Sequence, residues 1–168
     1  MKQRTRIFIA IGVIVLIALL VTGIDLLRRT FTASAETAPE ITLVPGSVPV
    51  YLNEKLIAGF APQELDKLKK VSFVEPVEGK TQEGWLLRDV LLLYIQPNQL
   101  QPDTQITVSS SSRGKTAQLT WAEIDVPENM VMFDLSNRGT LKLVSKLEKL
   151  STRDEWVQDV DKIEVNHP

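Results

Sequence analysis

Gly84-Trp85-Leu86-Leu87-Arg88-Asp89-Val90-Leu91-Leu92-Leu93-Tyr94-Ile95 is the most apolar stretch outside the N-terminal segment, and only Arg88 and Asp89 interrupt it. As a helix it is apolar over most of its circumference and has to be buried, so it is the expected central helix of the domain. Gln96-Pro97-Asn98 stops it, because a proline turns the residue before it away from helical geometry. The alternating run over residues 104–110 is a strand that leads into the polar loop Ser111-Ser112-Arg113-Gly114-Lys115. A buried helix followed by a strand and a small polar loop is one arrangement in which mixed α/β domains hold a ligand.

Upstream, residues 7–24 form a run of 18 residues with no formal charge. A helix needs about 17–25 residues to cross a bilayer core. Lys2, Arg4 and Arg6 precede the run, which places the N-terminus in the cytoplasm and the bulk of the chain outside it. The competing reading is a cleaved signal peptide with Ala33-Ser34-Ala35 as its small-residue site. The length of the run, and Arg28 and Arg29 between it and that site, favour the anchor. The organisation expected is a single-pass anchor over residues 1–29, a small polar linker over 30–40 and one extracytoplasmic domain over 41–168.

Composition narrows the chemistry. The chain lacks cysteine, which excludes disulfides, a thiolate nucleophile and a thiolate metal site. Its total charge of -2 divides into +4 on residues 1–29 and -6 on the remainder. An acidic domain without a basic stripe argues against a nucleic-acid partner.

Inside the domain, Ile41-Thr42-Leu43-Val44 and Val48-Pro49-Val50-Tyr51-Leu52 are expected strands around the turn pair Pro45-Gly46, with Pro49 confining its strand to a sheet edge. Residues 61–70 carry helix punctuation: proline early, acids next, lysines last. Val71-Ser72-Phe73-Val74 is a strand, and residues 75–83 an exposed loop. Residues 105–108 and 116–121 make a hairpin that buries Ile106, Val108, Ala117, Leu119 and Trp121 on one face. Thr120-Trp121-Ala122-Glu123 is a capping box. Residues 131–135, 141–144 and 160–165 are further strands, with Asn137-Arg138-Gly139 as a turn.

The candidate binding residues are Ser109, Ser110, Ser111, Arg113 and Lys115, with Ser112 and Gly114 between them. Hydroxyls, backbone N–H groups and two cations on one loop suit an anion or phosphate; the plain alternative is a solvated hairpin tip. No catalytic residue is assigned, because a nucleophilic serine needs a neighbouring base and the only histidine, His167, is next to the C-terminus. The carboxylate pairs Asp125 with Glu128 and Glu148 with Asp154 fit solvated surface, and no His or Asp spacing suggests a metal site. Trp85, Trp121 and Trp156 have apolar neighbours and are expected in the core.

The order of elements resembles the oxidoreductase molybdopterin-binding domain, the sulfite oxidase-like fold. Gly84-Trp85-Leu86-Leu87-Arg88-Asp89-Val90-Leu91 is similar to that family's Gly-led Leu-Leu helix. Thr140-Leu141-Lys142-Leu143-Val144, then Trp156-Val157 and Lys162-Ile163-Glu164-Val165, resemble its closing strand, Trp-Val pair and last strand. The resemblance covers about residues 41–165 and implies an α/β, mixed-sheet domain. In catalytic members a cysteine after the central helix ligates molybdenum; that place here falls on Ser109, Ser110 and Ser111. A serine hydroxyl is a poor substitute for a soft thiolate. The resemblance therefore implies the fold without the metal chemistry: a membrane-anchored binding or scaffold module with no cofactor, whose partner is a protein or a small anionic ligand. The alternative is a divergent molybdopterin-dependent oxidoreductase that holds the pterin through Ser111, Arg113 and Lys115 and works with a membrane redox partner.

Overall fold

The computed structural model describes residues 41–168. The expected anchor and linker lie outside the described residues, and among those described no helix is long and apolar enough to cross a membrane. The domain is mixed α/β with few and short helices, and its strands form two separate sheets.

The larger sheet contains β1 (Val48–Leu52), β2 (Lys55–Phe60), β5 (Gln105–Ser110), β6 (Lys115–Thr120) and β9 (Lys162–Asn166) in the order β2-β1-β9-β5-β6. β1 and β9 run parallel; the other neighbours are antiparallel. Strict alternation in β5, β6 and β9 buries Ile106, Val108, Ala117, Leu119, Ile163 and Val165 on one face. The β5–β6 hairpin and the Thr120–Glu123 capping box follow the sequence expectation: Thr120 Oγ1 accepts the Glu123 amide at 3.3 Å and Glu123 Oε2 accepts the Thr120 amide at 2.8 Å.

The smaller sheet contains β3 (Lys70–Val74), β4 (Thr81–Leu86), β7 (Met132–Leu135) and β8 (Leu141–Val144), in the order β3-β4-β7-β8. In register across it, Trp85, Phe133 and Leu143 face the main core, while Met132 and Val144 point the other way and join Phe73 and Trp156 in a second cluster. The outer face is therefore apolar at one end, where Trp156 covers it, and polar at Gln82, Asp134 and Lys142; the Trp156 indole N–H donates to the Leu150 carbonyl at 2.9 Å.

Several expectations are corrected. Gly84, Trp85 and Leu86 are not helical; they end β4, and only Leu87–Leu91 forms a helix, α1. A continuous apolar run satisfies a strand buried on both faces as well as it satisfies a buried helix. Pairing with β3 and β7 decides for the strand. Pro49 is not on an edge strand, since β1 lies between β2 and β9; the parallel ladder begins at Val50, one residue after the proline, so its missing N–H breaks no pairing there. Residues 41–44 form no strand, and Pro62–Lys67 is a 3-10 helix rather than an α-helix. The loop expected over 75–83 shortens, because β4 begins at Thr81 and Glu75 is buried, its carboxylate accepting the amides of Val77 and Glu78. β2 was not expected at all. It is joined to β1 by Asn53-Glu54, both at positive φ, a turn more often made by glycine. Tertiary contacts hold that turn: the Asn53 amide donates to the Val165 carbonyl at 2.8 Å, and Asn53 Oδ1 accepts the His167 amide at 3.0 Å.

Gly84 is where β4 and β7 come closest. A Cβ at that position would overlap the Phe133 carbonyl oxygen, which is ladder backbone and cannot move aside. At Gly59 a Cβ meets the end of the Leu43 side chain, which can rotate. Gly84→Ala is therefore expected to destabilise the domain by about 3 kcal/mol or more, and Gly59→Ala by less than about 1 kcal/mol. Urea unfolding followed by tryptophan fluorescence measures both; equal effects would refute the close-approach account.

Candidate functional site

The Ser-rich loop is the tip of the β5–β6 hairpin, and the structure places its residues in different environments. Ser109 is in the ladder, opposite Thr116 and Lys162. The Ser110 side chain is buried, with its hydroxyl 3.3 Å from that of Ser112. Ser111, Ser112 and Arg113 are exposed, and Gly114 takes a positive φ of 57° that closes the turn.

The segment before β9 grips this tip. The Ser111 amide donates to Asp161 Oδ2 at 2.7 Å, and the Asp161 amide donates to the Ser109 carbonyl at 3.0 Å. Arg113 Nε donates to Asp159 Oδ2 at 2.7 Å. On its other side Asp159 accepts Arg138 Nη2 at 2.8 and 2.9 Å and the Thr140 hydroxyl at 2.7 Å. Lys115 Nζ donates to the Asp154 carbonyl. One carboxylate thus joins the hairpin tip of the larger sheet to the β7–β8 turn of the smaller one. The Thr140 hydrogen bond, then the Arg113 hydrogen bond and the charges of Arg138 and Arg113, hold the Asp159 carboxyl below the usual carboxylate range against the opposing effect of burial. Asp159 also sits at a φ of 55°, uncommon outside glycine and best tolerated by Asp and Asn among the others.

Beside the tip, Arg113, Lys115, Trp156 and Gln158 line a space of about 190 Å³. Across Trp156 and Gln158 from it opens a larger cleft of about 500 Å³ over the smaller sheet. Lys142 reaches this cleft with Nζ 2.8 Å from Gln82 Oε1, 3.0 Å from Asp134 Oδ2 and 5.0 Å from the Trp156 ring centre. Lys80 and Arg153 also line it, and both bind the Glu78 carboxylate at 2.7 Å. These two hydrogen-bonding partners hold the Glu78 carboxyl at about 2.

Other sequence readings can be placed. Trp85, Trp121 and Trp156 are all buried, as expected of core residues. His167 lies beyond the end of β9 that pairs with Gln105, whereas Ser109 pairs with Lys162 at the other end, so the histidine and the serines share no site. Asp125, Glu128, Glu148 and Asp154 are exposed. Arg88 is remote from the hairpin tip in role: it ties α1 to Asp125 of α2 (Trp121–Asp125), with Nε 3.3 Å from Asp125 Oδ1. Among the described residues no group of three His, Cys, Asp or Glu side chains is placed to hold a metal ion. Asp134, Lys142, Asp159 and Asp161 were not singled out from sequence. The Gln158-Asp159-Val160-Asp161 alternation ahead of the last strand was the one available signal. No protein-family model and no curated protein matches the chain.

Asp159→Asn preserves shape and tolerance of positive φ while removing the charge. It is expected to cost about 1–2 kcal/mol at pH 7, since hydrogen bonds to a charged group are lost but the arginines are largely exposed. Because the native carboxyl is lowered, its contribution is complete above the unfolded value of about 4 and disappears as pH falls through the native value. Urea melts of both proteins from pH 7 to pH 2 should therefore converge at the acid end; a constant difference would disprove the linkage.

Proposed function

We propose that this chain is a membrane-anchored extracytoplasmic binding or scaffold domain of sulfite oxidase-like fold that does not carry out molybdenum chemistry. The anchor reading rests on the 18-residue uncharged run over residues 7–24 and the basic residues before it. The fold reading is supported by the mixed α/β architecture and by the order of hairpin, closing strand, Trp-Val pair and last strand.

The observation that carries the functional part is the state of the hairpin tip. In the place that the resemblance gives to a metal-ligating cysteine, the Ser110 side chain is turned into the protein, Arg113 is committed to Asp159 and Lys115 to the Asp154 carbonyl. The space beside it, about 190 Å³, is smaller than the roughly 300–1,000 Å³ of ordinary ligand pockets. A serine hydroxyl is a hard oxygen donor and does not suit a metal that the resembled family grips through a soft thiolate. The tip works as a tie between sheets, leaving Ser111 and Ser112 as its exposed surface toward a partner.

Expression of the full chain in a molybdenum-cofactor-competent host, followed by detergent extraction and elemental analysis, is expected to give molybdenum at background. Stoichiometric metal in folded protein would establish the oxidoreductase reading instead. The anchor is checked on the same membranes: the chain should stay in the pellet through a high-salt wash and leave it only with detergent.

A further inference from the structure

We infer that the cleft over β4, β7 and β8 is an oxyanion-binding site for a small carboxylated or phosphorylated molecule. This deepens the proposed function, since it rests on the domain being a binding module, but it moves the ligand away from the hairpin tip.

Charge is the first argument. Residues 41–168 hold fourteen basic against eighteen acidic side chains, a net -4, yet the charged residues lining the cleft are Lys80, Lys142 and Arg153 against Asp134 alone. An acidic domain has gathered cations around this concavity, and low-dielectric walls concentrate their field there. Geometry is the second. Lys142 is four-fifths buried, and Gln82, Asp134 and the Trp156 ring fix its ammonium from three directions, so the floor of the cleft is set before any ligand arrives. Lys142 and Asp134 neutralise each other; the charge left for a ligand is that of Lys80 and Arg153 on the rim.

Those two share one counter-ion. Glu78, outside the cleft lining, accepts Lys80 Nζ and Arg153 Nη1 at 2.7 Å, and its carboxylate takes the position on these cations that a ligand carboxylate or phosphate would take. Arg153 Nη1 makes both of its Glu78 contacts, which leaves the rest of the guanidinium fork to meet an anion. The rim pairs are half-exposed, so opening them costs little. Glu78 is thus an internal competitor for the site. The volume, about 500 Å³, suits a molecule of metabolite size rather than a bare ion, and the Gln82, Asn137 and Gln158 amides and the Ser136 hydroxyl supply partners for its hydroxyl groups.

The test is amide NMR of the full chain in a neutral detergent, titrated with citrate and with glucose 6-phosphate, and with glucose as the uncharged control. Expected are saturable shifts confined to residues 80–82, 134–137 and 153–158, including the Trp156 indole, with one of the two anions bound at a Kd of about 1 mM or tighter. Lys80→Gln with Arg153→Gln should weaken that binding at least about tenfold, and Glu78→Gln should strengthen it about three- to tenfold. Strengthening by loss of Glu78 is not an effect that a purely structural ion pair produces, and it remains readable if the double variant fails to fold. The site is ruled out if neither anion saturates, if the shifts fall on residues 109–115 instead, or if Glu78→Gln leaves affinity unchanged or lower. Molybdenum content is read separately, so its presence would remove the proposed function without depending on this result.

Discussion

Two sheets that share no ladder pack into one hydrophobic core, and a short length of backbone, residues 157–161, is hydrogen-bonded to both. On one side the Leu143 amide donates to the Val157 carbonyl at 2.8 Å and the Val160 amide to the Leu141 carbonyl at 2.9 Å, which extends the smaller sheet past β8. On the other side the Asp161 amide donates to the Ser109 carbonyl at 3.0 Å, and the chain enters the middle of the larger sheet as β9. The reversal between the two occurs at Asp159, in a left-handed conformation that an ordinary residue resists. Its carboxylate compensates by binding Arg113, Arg138 and Thr140, so a residue in an uncommon backbone conformation is also a hub of polar contacts.

That arrangement settles how the surface cations are used. A serine-rich loop with Arg113 and Lys115 has the composition of an anion site, but here both cations face groups of the same chain. The same turn of backbone carries Trp156 onto the outer face of the smaller sheet, where it covers Met132 and Val144 and forms one wall of the larger cleft. Packing and charge are coupled through one side chain: Trp156 seals a hydrophobic cluster below and presents its ring to the Lys142 ammonium above.

Local sequence signals were readable wherever a short-range rule controls the outcome. The β5–β6 hairpin follows from alternation, the Thr120 cap from its partner three residues on, the Asn137 to Gly139 turn from its composition, and the burial of three tryptophans from their neighbours. Where the rule was ambiguous, the reading failed. The stretch beginning at Gly84 is apolar on all sides, which a helix and a doubly buried strand satisfy equally, and Pro49 marks a strand end that a linear reading takes for a sheet edge.

By itself, then, the amino-acid sequence determined the composition-level facts: an acidic domain without thiols, a long uncharged N-terminal run, and the positions of most strands and turns, because each depends on residues within a few places of one another. Tertiary structure alone decided that the strands divide into two sheets, that Gly84 ends a strand rather than starting a helix, and that Asp159 captures the two arginines. Those outcomes depend on groups that are far apart in the chain and become neighbours only when β7 pairs with β4 and β9 is inserted between β1 and β5.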